Sequence, residues 1–152
     1  MKQLPPFESP LHTFDAHISD VLLNYVRSRL EIDETPLDFP GQRAALEQAV
    51  SGLISDHGHS VEEVLKVYAD AIAPTVLSAD SPRFLSFIPA APSKSALLFD
   101  TIVSCASLQG MSWLEAAGVI VAENQVLRFI ADLAGMPKTS GGTFVSGGSA
   151  AN

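Results

Sequence analysis

The chain has 152 residues, with 9 Lys+Arg against 17 Asp+Glu and a formal net charge of −8, and its sequence pI is near 4.7. Hydrophobic residues at 47% and charged residues at 17% can bury a core, which excludes general disorder, and the length suits one domain or a piece of a larger one. The acidic balance argues against a nucleic-acid partner, the single Cys105 excludes a disulfide framework or a Cys-rich zinc module, and no uncharged apolar run of about 18 residues would span a membrane.

Residues 1–12 read as an extended arm, because Pro5, Pro6 and Pro10 remove backbone donors and block helix. The start carries no apolar signal core, so a cytoplasmic location is expected. Thr13 is placed to cap a first helix with Phe14, Ile18, Val21, Leu22 and Tyr25 on one stripe and Arg27 and Arg29 near its negative pole. After a turn region holding Pro36 and Pro40, a second helix is expected over residues 42–57, with the stripe Leu46, Ala49, Val50, Leu53 and Ile54 and a left-handed cap at Gly58. Ser60-Val61-Glu62-Glu63 reads as a capping box opening a third helix, whose stripe is Val61, Val64, Leu65, Tyr68, Ala71 and Ile72 and which Pro74 stops.

The character changes after Ser81. Phe84-Leu85-Ser86-Phe87-Ile88 is short and apolar and reads as a strand closed by Pro89 and Pro92. Ser93 is placed to cap the next helix, which runs through Ala96, Leu97, Leu98, Phe99, Ile102, Val103 and Ala106 towards Gly110 and is apolar almost all round, so it is expected at the centre. Cys105 within it reads as a buried core residue and Trp113 as a packing anchor. A further helix is expected over 117–134, with Val119, Ile120, Val126, Leu127, Ile130 and Ala134 inward and a stop at Gly135 and Pro137. His57 and His59 lie two apart with no third ligand indicated, and no metal site is assigned.

The final residues carry the chemistry. Gly141-Gly142-Thr143-Phe144-Val145 reads as a turn and a short strand, Ser146-Gly147-Gly148-Ser149 as a tight bend, and Ala150-Ala151-Asn152 as a helix start. Glycines let the backbone approach a ligand, and the free N–H groups at a helix start favour negative charge, so the arrangement is an anion cradle. No Lys-Ser/Thr pair follows the bend, which distinguishes it from a nucleotide-binding P-loop.

Several segments, in order, carry a resemblance: Ser81-Pro82-Arg83-Phe84 with Phe87-Ile88-Pro89, Gly110-Met111-Ser112-Trp113, Glu123, Gly135-Met136-Pro137, and Gly141-Gly142-Thr143-Phe144 leading into Ser146-Gly147-Gly148-Ser149-Ala150-Ala151-Asn152. In that layout the chain resembles the N-terminal third of the group II pyridoxal-phosphate-dependent amino-acid decarboxylases. The resemblance implies an α/β parent of fold type I, similar to aspartate aminotransferase, with this portion mostly helical and holding one or two short strands. It implies a helical dimerisation arm over residues 1–93, and the start of a large cofactor domain over 94–152 that is truncated here.

The implied cofactor is pyridoxal 5'-phosphate, held through Gly147, Gly148, Ser149 and Asn152. Phe87, Ile88, Pro89 and Ala90 would line the pocket of a small-molecule amino-acid substrate. Gln109 and Met111 would approach the neighbouring subunit of a homodimer. The implied activity is decarboxylation of an L-amino acid, and no catalytic residue is assigned within these 152 residues, because the family's Schiff-base lysine lies further along. The chain by itself is therefore expected to be inactive. Three departures from the family pattern bear on the substrate: Ser81 stands where a histidine is frequent, Ile88 where an aromatic residue is frequent, and Ala90 where a threonine is frequent. An aminotransferase or aldehyde synthase of the same fold, and a non-catalytic helical association module, are the alternative readings.

Overall fold

The computed structural model describes residues 13–152, so the expected arm over residues 1–12 lies outside the described residues. The chain divides into two compact units, one ending at Lys94 and the other starting at Ser95.

The first unit is built on three helices. Helix α1 spans Ala16–Glu31, and its cap is Asp15 rather than Thr13, with the Asp15 carboxylate accepting from the Ile18 N–H at 3.0 Å. A carboxylate at the cap also complements the positive pole of the helix, which a threonine does not. Helix α2 spans only Arg43–Ala49, not the whole of 42–57. Beyond it Gly52 takes the left-handed conformation (φ +82) expected of Gly58. The Ser55 hydroxyl also donates to the His57 carbonyl at 2.8 Å, a local bond that competes with helix.

Helix α3 spans Val61–Val67 behind the expected capping box: Ser60 accepts from the Glu63 N–H at 3.2 Å while the Glu63 carboxylate accepts from the Ser60 N–H at 3.0 Å. Pro74 has no N–H to continue the helical ladder. The helix widens into a π-turn at Tyr68–Ile72, tightens into a 3-10 turn at Ala73–Thr75, and ends at extended Val76. The stripes of α1 and α3 face each other, and the rings of Tyr25 and Tyr68 meet edge-to-face with centroids 5.8 Å apart. Burial and the neighbouring Tyr68 push the Tyr25 phenol above its ordinary pKa. His17 pairs with Glu62 across the same two helices.

The unit is closed by a polar clamp. Arg29, in the last turn of α1, donates Nη2 to both oxygens of Asp80 at 3.0 and 2.9 Å. Buried Thr35 donates its hydroxyl to Asp80 Oδ2 at 3.0 Å. One guanidinium nitrogen shared by both carboxylate oxygens is a charge-assisted contact, and together with Thr35 it ties the end of α1 to the chain entering Ser81.

The second unit holds α4 (Lys94–Cys105, whose first residue closes the unit before), α5 (Trp113–Leu133) and α6 (Gly148–Ala151). Left-handed Ser107 (φ 50) turns the chain out of α4 well before Gly110. Helix α4 is not central as expected: none of its residues is buried, and Cys105 is exposed. Trp113 is likewise exposed and is no packing anchor within the unit. The backbone leaves helical geometry once inside α5, at Ala116 (φ −146, ψ 36), so the regular helix starts at 117.

At its other end Met136 N–H bonds to the Ala131 carbonyl at 2.9 Å and Gly135 N–H to the Asp132 carbonyl at 3.1 Å. With Gly135 at φ +66, this is a Schellman stop. The buried residues of α5 are Ala116 (6% exposed) and Ala131 (9%), while Val126 and Ile130, expected inward, are exposed.

No strand forms among the described residues, which corrects the two expected at Phe84–Ile88 and Thr143–Val145. Phe87 (φ 62) and Ile88 (φ 50) are left-handed in succession, a geometry that no pleated strand contains. An extended segment also needs a neighbouring strand to satisfy its ladder, and no such neighbour stands beside residues 143–145 among the described residues.

Candidate functional site

The glycine–serine elbow is built by the segment that follows the α5 stop. Gly147 is extended (φ 164, ψ 171) and caps the four-residue turn Gly148–Ala151. Ala150 and Ala151 donate their N–H groups back to the Gly147 carbonyl at 3.0 and 3.2 Å, and Asn152 donates its N–H to the Gly148 carbonyl at 3.2 Å. Those bonds leave the earlier N–H groups of the turn without a helical partner, as at any helix start. A Cβ added at Gly147 or Gly148 would meet nothing within 4 Å, so the glycines face open space. Gly147, Gly148, Ser149 and Asn152 are adjacent and exposed. From Phe144 to Asn152 there is no acidic side chain, and backbone donors with a hydroxyl and an amide suit a phosphate dianion.

The approach to this elbow is fastened to one face of α5. Glu123, Leu127 and Arg128 are only half exposed, unlike their neighbours on the helix. Arg128 Nη1 donates to the carbonyls of Pro137, Lys138 and Ser140 at 3.1, 3.3 and 3.3 Å. Its Nε and Nη2 make no aligned hydrogen bond, although Nη2 lies 2.9 Å from Asp132 Oδ1, so charge rather than bond geometry holds that pair. Lys138 reaches the same oxygen at 2.8 Å. Asp132 is held below the ordinary carboxylate range by the hydrogen bond from Lys138 first and by the adjacent Arg128 guanidinium next. Leu127 packs against Gly142, where an added Cβ would lie 3.5 Å from Leu127 Cδ2. Glu123 Oε1 accepts from the Phe144 N–H at 3.3 Å and from the Thr143 hydroxyl at 3.4 Å.

The other expected site residues lie in the first unit. Phe87, Ile88, Pro89 and Ala90 form an exposed turn, with Ile88 100% and Phe87 87% accessible. Left-handed backbone at a β-branched residue such as Ile88 costs on the order of 1–3 kcal/mol. The rings of Phe84 and Phe87 lie 6.3 Å apart. Gln109 and Met111, in the second unit, are exposed. Among the described residues no cluster of His, Cys, Asp and Glu could hold a metal ion, and no helix is long and apolar enough to cross a membrane.

Sequence reasoning did not anticipate the Arg29–Thr35–Asp80 clamp or the roles of Glu123 and Arg128. The available signal was a carboxylate, Glu123, set in helical register with the apolar stripe expected to face inward on α5.

A neutral, glycine-rich elbow with backbone N–H donors suits an anionic ligand, and comparison with known proteins gives the family. The model of the pyridoxal-dependent decarboxylase conserved domain matches residues 40–152, and the chain belongs to that family. It is 27% identical over 99 residues to an aromatic-L-amino-acid decarboxylase of Bacillus atrophaeus, covering 65% of this chain and 21% of that protein. It is 27% identical to a 4-hydroxyphenylacetaldehyde synthase of Rhodiola rosea, covering 91% of this chain and 30% of that one. With a phenylacetaldehyde synthase of Arabidopsis thaliana the identity is 24%, over 96% of this chain and 30% of the relative. The chain thus spans less than a third of the length of these relatives. No solved structure matches the chain.

Proposed function

We propose that this chain is the N-terminal portion of a fold-type I, pyridoxal-phosphate-dependent enzyme that decarboxylates an L-amino acid to its amine and carbon dioxide. The observation that carries the reading is the family match running through the elbow at residues 147–152. In this reading the backbone N–H groups of Gly148 and Ser149, the Ser149 hydroxyl and the Asn152 amide hold the coenzyme phosphate. When bound, the coenzyme supplies the electron sink for loss of the carboxylate.

The chain's own contribution is position and charge: the donors of an elbow that carries no acidic side chain of its own fix the dianion and so the ring's place. The Phe87–Ala90 turn contributes an apolar lining to the substrate side-chain pocket. Phe84, Phe87 and Ile88 favour an aromatic substrate, and the relatives named for aromatic compounds agree with that choice.

The helices before residue 94 serve as a homodimerisation arm. The exposed apolar side chains of the first unit, among them Phe14, Leu22 and Ile54, support that role, since such faces are ordinarily covered in an assembly. By itself the 152-residue chain is expected to release no carbon dioxide.

A second reading is an aldehyde synthase on the same fold, favoured by the two relatives that cover more than nine tenths of the chain. Product analysis of the full-length protein with added pyridoxal phosphate and aromatic L-amino acids decides between them. Carbon dioxide with an equal amount of amine supports decarboxylation. Carbon dioxide with aldehyde and ammonia, formed as dissolved dioxygen is reduced to hydrogen peroxide, supports the second reading, and absence of carbon dioxide excludes both.

A further inference from the structure

Three side chains on one face of α5 touch the eight residues that lead into the elbow, and their chemistry differs. Arg128 gathers three carbonyls of the loop at 137–140, and Leu127 packs on Gly142. Glu123 is distinct because it accepts from the backbone at Phe144, three residues before Gly147. A carboxylate there serves no ion pair: no cation lies within salt-bridge distance among the described residues. Both hydrogen bonds it accepts come from the segment leading to the elbow.

We propose that Glu123 is a positioning residue for the anion-binding elbow, acting by hydrogen-bond acceptance at the Phe144 N–H to set where the donors of Gly148 and Ser149 point. The inference rests on the elbow being the coenzyme-phosphate site. Its physical content is unusual in sign. By charge alone, a carboxylate close to the elbow opposes a phosphate dianion, so removing it should tighten binding. By position, removing it should loosen binding, because the donors lose their fixed aim.

The test uses the full-length protein with Glu123→Ala, Glu123→Gln and Glu123→Asp. Two quantities are read: the dissociation constant for pyridoxal phosphate, from the coenzyme's absorbance, and the protection of the apoprotein against heat by inorganic phosphate. Glu123→Ala is expected to weaken coenzyme binding by about tenfold, the loss of one charge-assisted hydrogen bond, and to lose the phosphate protection. Glu123→Gln keeps an oxygen acceptor of the same reach and is expected to stay within about threefold of wild type.

Glu123→Asp keeps the charge but falls one methylene short. It is expected to weaken binding more than Glu123→Gln, and this pair carries the test if Glu123→Ala does not fold. Wild-type binding with Glu123→Ala equal or tighter overturns the proposal and leaves the proposed function standing, as does a Glu123→Gln loss as large as that of Glu123→Asp. No coenzyme binding by wild type overturns the proposed function itself.

Discussion

At the scale of single residues, the Arg29–Thr35–Asp80 clamp shows how a charge is kept in a partly buried place. Burial alone would raise the Asp80 pKa, but the hydrogen bonds from Arg29 and Thr35 outweigh it, and the net shift is downward. A carboxylate with a lowered folded-state pKa contributes stability above its unfolded value, near 3.8, and that contribution is lost as the pH falls through the folded value. Melting temperatures of wild type and Asp80→Asn should therefore differ most at neutral pH and converge on acidification below about pH 4. A constant gap over that range would mean that Asp80 acts through shape rather than charge.

Gly135 makes a second residue-scale case. It is left-handed, and a Cβ there would meet no neighbouring atom, so any cost of Gly135→Ala comes from the backbone and not from crowding. The substitution should cost about 1–2 kcal/mol in chemical denaturation.

At the scale of elements, what the sequence made legible was local. The Ser60–Glu63 capping box and the Gly135 stop each depend on residues within one turn of one another, and both form as read. Ser60→Ala should cost about 1 kcal/mol of stability, measured by thermal unfolding, because two N–H groups lose their acceptors or their geometry together.

What was misread was not local. Phe84–Ile88 has strand composition, but a strand exists only beside another, and the paired left-handed residues Phe87 and Ile88 send the chain elsewhere. Helix α2 stops early because Gly52 and the Ser55 turn outcompete a stripe that finds little to pack on. Helix α4 has the composition of a buried helix, yet composition cannot say what buries it, and in its unit nothing does. The elbow was legible as a glycine pattern, whereas its tether to α5 depends on a register between Glu123 and Phe144 that only the fold defines.

At the scale of the whole molecule, the exposed apolar faces and the family match belong together. Side chains such as Ile88 (100% accessible) and Leu114 (94%) are far more accessible than such residues usually are in a finished domain. In the proposed enzyme they are covered by the remainder of the cofactor domain and by a second subunit. Full-length protein should then bind much less of a hydrophobic dye per chain than the 152-residue chain, and equal binding would argue that these faces stay open.

The most direct measurement is a pyridoxal-phosphate titration of the full-length protein and its Ser149→Ala variant, following the coenzyme's visible absorbance. Saturable binding at one coenzyme per chain, weakened about tenfold by loss of the hydroxyl bond to the phosphate, is the expected result. A wild-type protein that leaves the absorbance of the free coenzyme unchanged would contradict the assignment of the elbow.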